Sequence, residues 1–102
     1  MNKLSLTLAA TAMALFAWQG HAADAAAGKQ MAADTCADCH GDDGKGDADY
    51  PALAGMSVDK FTKAIKEYQD GKRTKSAKMT KEAKKLSDAD VANLAAYYSS
   101  LK

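Results

Sequence analysis

No stretch of the 102-residue chain alternates β-branched or aromatic residues with polar ones between turn signals, so a β or α/β architecture is excluded. A thioredoxin-like redox fold, which needs a βαβ surround, goes with it. Charge of one sign is lacking too: the formal balance is +1, a poor basis for holding nucleic acid. No apolar run reaches the about 20 residues that a membrane span requires. The longest apolar stretch, Leu4 to Trp18, falls short of that length and is interrupted by Ser5, Thr7 and Thr11. Soft metal ligands are few as well. Cys36, Cys39 and His40 do not make up the four a structural zinc site takes, and neighbours Cys39 and His40 can hardly both meet one small ion.

The N-terminal stretch reads as an address. Lys3 supplies the positive start, Leu4 to Trp18 the apolar segment, and Gly20-His21-Ala22 a small-x-small cleavage site, together a secretory signal peptide. Residues 1–22 are expected to be removed, with cleavage after Ala22 or after Ala23, leaving 23–102 as one domain. No membrane span then remains. A domain this short seldom builds an adequate apolar core unless a disulfide, metal or cofactor supplements it. Its aromatic residues are only Tyr50, Phe61, Tyr68, Tyr97 and Tyr98.

Cys36-Ala37-Asp38-Cys39-His40 supplies the missing element. C-x-x-C-H is the attachment signature of c-type haem. Two thiols separated by two residues on a helical turn can reach the two vinyl groups on one porphyrin edge and form thioethers, which leaves His40 under the iron as proximal ligand. A plain Cys36–Cys39 disulfide closes a very short loop and leaves His40 without a role. The motif and the leader support each other, because c-type haem is attached outside the bacterial inner membrane. The mature protein is therefore expected in the periplasm.

Three amphipathic helices are predicted. The first runs from about Ala25 into the haem motif behind Asp24 as N-cap, and Gly28 within it suggests close approach by another helix, with Met31 filling the contact. The second follows Ser57, with Val58, Phe61, Ile65 and Tyr68 forming one apolar stripe, and stops at Gly71. The third opens on Ser87 and Asp90, a variant capping box, and carries Val91, Leu94, Ala95 and Tyr98 on one face to about Ser100.

Two loops separate them. Gly41 to Pro51 holds three glycines and four aspartates; it lacks the G-K-[ST] ending of a phosphate loop and the spacing of a calcium loop, and reads as a solvated acidic turn. Lys72 to Lys85 reads as a basic loop containing Met79.

Iron held by His40 has one axial position left. His21 leaves with the leader, so a thioether is the remaining soft donor. Met31 is tied to the proximal side by its helix. Met56 follows His40 closely in the chain, a short tether for wrapping around the ring, whereas Met79 lies beyond a whole further helix and in otherwise polar surroundings. Met79 is the expected sixth ligand. If Met79 only fills a gap, the iron is five-coordinate, and a gas sensor or peroxidase becomes the alternative.

Charge is unevenly spread. Asp24 to Asp59 holds eight aspartates and two lysines, while Lys60 to Lys102 holds eleven basic and five acidic residues. Lys72, Arg73, Lys75, Lys78, Lys81, Lys84 and Lys85 face only Glu82 in their segment, which suggests redox partners with acidic docking surfaces.

With G-K-Q-M-A-A-D-T-C-A-D-C-H-G at Gly28 to Gly41, Y-P-A-L-A-G at Tyr50 to Gly55, Met79, and L-S-D-A-D-V-A-N-L-A-A-Y-Y at Leu86 to Tyr98, the chain resembles the class I c-type cytochromes, specifically the short, single-haem bacterial group. The resemblance implies an all-α cytochrome c fold, three to four helices wrapped around one covalently attached haem. It also implies a monomeric one-electron carrier without catalysis of its own, with a haem subunit of a larger oxidoreductase as a further alternative. It assigns Pro51 the carbonyl that accepts a hydrogen bond from the His40 Nδ1, and Gly28 and Tyr97 the crossing of first and last helices. Met31 departs from the pattern, since relatives often carry an aromatic residue there.

Overall fold

The structure of the protein is a computed structural model that describes residues 22–101. The leader expected at 1–22 lies outside the described residues apart from Ala22. Among the described residues the elements are helices, without a strand. Helix α1, Ala25–Met31, continues through a π-helical segment, Ala32–Cys36, into α2, Ala37–His40. Helices α3, Val58–Gln69, α4, Ala77–Lys84, and α5, Asp88–Ser100, follow.

Asp24 caps α1 through its carboxylate, which accepts from the Ala26 and Ala27 amides at 2.9 and 3.2 Å. The π-helical segment has consequences beyond local geometry. Residues spaced by four drift around an ordinary α-helix, and the wider turn, marked by the Ala37 amide bonding back to the Ala32 carbonyl, offsets that drift. Gly28, Ala32 and His40 are buried and Cys36 half-buried, all at four-residue spacing on a continuous run.

α5 is the central element. Ser87 and Asp90 cap it reciprocally, at 3.1 Å for the Asp90 amide and 3.0 Å for the Ser87 amide. Val91, Leu94, Ala95 and Tyr98 form its buried face. α1 crosses α5 where Gly28 meets the backbone of Asn93 and the side chain of Tyr97. The Asn93 side chain accepts from the Asp24 amide at 2.8 Å, so one residue holds α1 at two points. Met31 packs against the core, and the atoms nearest Gly28 are those of Asn93 and Tyr97, so that the contact there is nearly backbone on backbone.

α3 packs on α5 through Phe61 and Ile65, and Ser57 caps it by accepting from the Lys60 amide at 3.2 Å. Val58, the first member of the expected stripe, is 47% exposed. It sits at the helix's first position and lines an open groove with Thr62, Ala92 and Ala96 instead of entering the core. Gly71, with φ +77°, takes the chain out of α3 as expected.

The segment 72–85 departs from the expected loop. Residues 77–84 form α4, whose N-cap Ser76 accepts from the Met79 amide at 3.1 Å. Its inward residues Met79 and Ala83, with Leu86 just beyond its end, recur at helical spacing, but the four surrounding lysines mask so short a stripe.

A methyl group at Gly28 would lie 2.6 Å from the Asn93 carbonyl carbon and 3.0 Å from the Tyr97 Cβ. Because the obstacle is backbone, Gly28→Ala is expected to cost roughly 3 kcal/mol in overpacking, against about 1 kcal/mol of helix propensity regained. A net loss of about 2 kcal/mol in chemical denaturation of the haem-loaded protein checks this.

Candidate functional site

The end of the first helical run and the loop behind it form one unit. Gly41, with φ +88°, terminates α2 directly after His40. The chain then folds back: the Gly46 amide donates to the His40 carbonyl at 2.7 Å, and the Leu53 and Ala54 amides both donate to the Gly44 carbonyl, at 2.7 and 2.9 Å. The aspartates are used locally. Asp43 accepts from the Lys45 amide, and Asp47 from the amides of Asp49 and Tyr50. Among the described residues no group of three or more His, Cys, Asp or Glu side chains is placed to hold a metal ion.

That folding brings the Pro51 carbonyl 2.8 Å from Nδ1 of His40. A carbonyl can only accept, so Nδ1 carries the proton and Nε2 presents its lone pair. The ring is 8% exposed and has the Tyr50 ring edge-on, centroids 6.1 Å apart. An imidazole so oriented has the tautomer that a ligand to iron requires.

Cys36 and Cys39 are free thiols, each half-buried. Burial pushes the Cys36 thiol up from its ordinary pKa, with the Tyr98 hydroxyl beside it pulling the other way. Tyr98 itself is pushed up by burial. Both groups stay neutral at physiological pH, so no unpaired charge is buried beside the attachment point.

Met79 lies in the first turn of α4, half-buried and packed against the core cluster. Met31 and Met56 are also half-buried there. Met31 precedes Cys36 on the same helical run, whereas Met79 enters from an element that starts beyond α3. The donor set therefore fits a c-type haem: two free thiols on adjoining helical positions, an imidazole whose Nε2 is uncommitted, and a thioether on a separate helix. Met31, Cys36, Met56, Tyr68, Met79 and Leu86 are half-buried apolar side chains packed on the core cluster, the kind of surface a haem would cover.

Inspection of the sequence alone missed Gly46, Tyr98 in its role beside Cys36, and Ser76. A Cβ at Gly46, where φ is +64°, would lie 2.7 Å from both the carbonyl carbon and the oxygen of Pro51 and would also strike the Tyr50 carbonyl. The spacing of Gly41, Gly44 and Gly46 before a lone proline was the available signal. Lys78, Lys81 and Lys84 are exposed along α4 and Lys85 at its C-cap, whereas Met79 and Ala83 turn toward the core.

Residues 25–102 match the family model described as Cytochrome c. Cytochrome c-554(548) of Halomonas halodenitrificans is 50% identical over 82 residues, covering 78% of this chain and 98% of the relative. Cytochrome c4 of Pseudomonas aeruginosa is 43% identical over 103 residues, and the match spans 100% of this chain but 50% of the relative's length. A protein of Thiomonas intermedia named thiosulfate dehydrogenase electron acceptor is 43% identical over 95 residues, 91% of this chain and 42% of the relative.

Gly46→Ala tests the loop. Left-handed backbone at a non-glycine residue costs roughly 1–2 kcal/mol, and the clash with Pro51 adds to it. The expected result is a loss of at least about 2 kcal/mol in stability together with faster solvent exchange of the His40 Nδ1 proton, read by NMR.

Proposed function

Because the chain belongs to the cytochrome c family, it is an electron-transfer protein carrying covalently bound haem c, and we propose that Cys36 and Cys39 hold that haem while His40 and Met79 ligate its iron. The hydrogen bond from His40 Nδ1 to the Pro51 carbonyl is the observation that carries this reading, since it leaves Nε2 as the only ligating atom of a buried imidazole. When bound, haem supplies an iron that alternates between ferric and ferrous states. Cys36 and Cys39, both free thiols, would hold the group through thioether links, which thiols can form without an oxidant. Pro51 holds the His40 ring in place and raises its basicity through the shared proton. Met79 supplies a soft sulfur, which favours the ferrous state, and Ser76 with the rest of α4 holds it. With both axial positions taken by side chains, the protein acts as a carrier and leaves catalysis to its partners.

We further infer a periplasmic protein matured by removal of residues 1–22, working as a monomer. No helix among the described residues is long and apolar enough to cross a membrane. The relative named as an electron acceptor of a dehydrogenase supports redox enzymes as partners. Charge supports acidic docking surfaces on them. Arg73 is engaged by Glu67 at 2.9 Å and Lys85 by Glu82 at 3.3 Å, but Lys72, Lys75, Lys78, Lys81 and Lys84 make no ion pair with described residues and are exposed. Since the α4 lysines are exposed whereas Met79 turns toward the core, they act on a partner through their field and leave the potential of the iron largely to its ligands.

Met79→Ala in the haem-loaded protein should abolish the long-wavelength sulfur-to-iron charge-transfer band of the ferric state. It should also lower the midpoint potential by on the order of 0.1–0.3 V, within the about 0.8 V that axial ligands span. A band that survives excludes Met79 as ligand. Lys81→Glu with Lys84→Glu should slow reduction by an acidic redox partner roughly tenfold at low salt, and added salt should slow the unmodified protein similarly. Rates that ignore ionic strength would remove the docking surface.

A further inference from the structure

α4 is only eight residues long, too short to hold its place by helical propensity. Its N-terminal end is fixed by Ser76, reinforced by the Thr80 hydroxyl donating to the Ser76 carbonyl at 3.2 Å. At the other end the Ala83 carbonyl accepts from the Leu86 amide at 3.1 Å as the chain leaves the helix, and a carbonyl oxygen can accept a second bond. Here the side-chain amide of Gln69, the last residue of α3, donates to the Ala83 carbonyl at 2.9 Å and to the Leu86 carbonyl at 3.1 Å. Both acceptors are carbonyls, so the amide orientation is fixed and both of its hydrogens are used. Ala83 is 0% exposed, and it stands one turn after Met79 on the same face of α4.

We propose that Gln69 is a positioning residue for Met79: its two hydrogen bonds lock the C-terminal end of α4 to the end of α3 and so fix the rotation of the helix that presents the sulfur. The proposal rests on Met79 being the second axial ligand. Without the clip, α4 is held at its C-terminal end by the packing of Ala83 and Leu86 on the core, which resists rotation less than a directed pair of hydrogen bonds. Gln69 then controls how often the sulfur leaves the iron, although it touches neither.

The rate at which imidazole replaces the sixth ligand of the ferric protein reads this directly, because departure of the sulfur limits it. Gln69→Leu keeps the bulk and removes both donors, and should accelerate imidazole binding roughly tenfold, the fold-change that one to two hydrogen bonds carry. Val91→Ala, which loosens the packing beside the groove between α3 and α5, should leave that rate near the unmodified value, separating local release from general destabilisation. Should Gln69→Leu fail to retain haem, Gln69→Glu gives the same reading above its own pKa, where the carboxylate has no proton to donate. If the unmodified protein is slow, Met79→Ala fast, and either folded Gln69 variant as slow as the unmodified protein, the clip is overturned while the ligand stands. If the unmodified protein is already as fast as Met79→Ala, ligand and clip fall together.

Discussion

Gly28 against the backbone of Asn93 sets the frame on which the remaining contacts depend. The approach is possible only because no Cβ stands between the two helices. It brings the start of the domain to its end, and everything between His40 and Ser87 is then a connection whose ends are already fixed. Asn93 strengthens the frame by accepting from the Asp24 amide, so the N-cap of α1 and the crossing share one anchor. The π-helical segment converts this crossing into a site. It carries the face that meets α5 at Gly28 and Ala32 onward to Cys36 and His40, which an unbroken α-helix would have turned aside.

The loop from Gly41 to Gly55 is held from both sides. The His40 and Gly44 carbonyls receive its amides, and the Gly55 amide donates to the Tyr98 carbonyl at 2.9 Å. Gly44 lets the Tyr98 ring lie close, where an added Cβ would stand 2.7 Å from Cε1. Tyr98 thereby supports the loop with its ring and faces Cys36 with its hydroxyl. One residue of α5 couples the attachment point to the segment that orients the imidazole.

Most of this was legible in the sequence where the signal is local and chemical. Asp24, Ser57, Ser87 and Asp90 cap the helices they were expected to cap, because capping depends on residues two or three positions away. The C-x-x-C-H motif and the Gly28 crossing were readable for the same reason. α4 was not. Its inward face is Met79 and Ala83 among lysines, with Leu86 just beyond its end, and tertiary packing against α3 stabilises it more than its own pattern announces. The π-helical segment was also invisible, since Ala-Ala-Asp-Thr-Cys suits an α-helix equally well. Gly46 needed the fold: only the return of Pro51 over it shows why a side chain is excluded. Val58 failed in the opposite way, matching the periodic stripe while lining an open groove beside α5 instead of the core.

The core shows why the cofactor and the fold are one problem. Ala32, Leu53, Phe61, Ile65, Ala83, Val91, Leu94, Ala95 and Tyr98 are the buried apolar residues, and three of them are alanines that bury little area. Around them Met31, Cys36, Met56, Tyr68, Met79 and Leu86 are packed on one side and only half-covered on the other. Side chains in that condition gain most from a large apolar surface laid against them, and a porphyrin is such a surface. Binding that is confined to the native state adds its free energy to folding. Ligation by His40 and Met79 would then tighten the fold from elements far apart in the chain, as thioether bonds at Cys36 and Cys39 make the association permanent. The same arrangement would suit electron transfer, with the proposed ligands His40 fixed by the Pro51 carbonyl and Met79 carried on the Ser76-capped helix, so that little energy would be lost to rearrangement at each exchange.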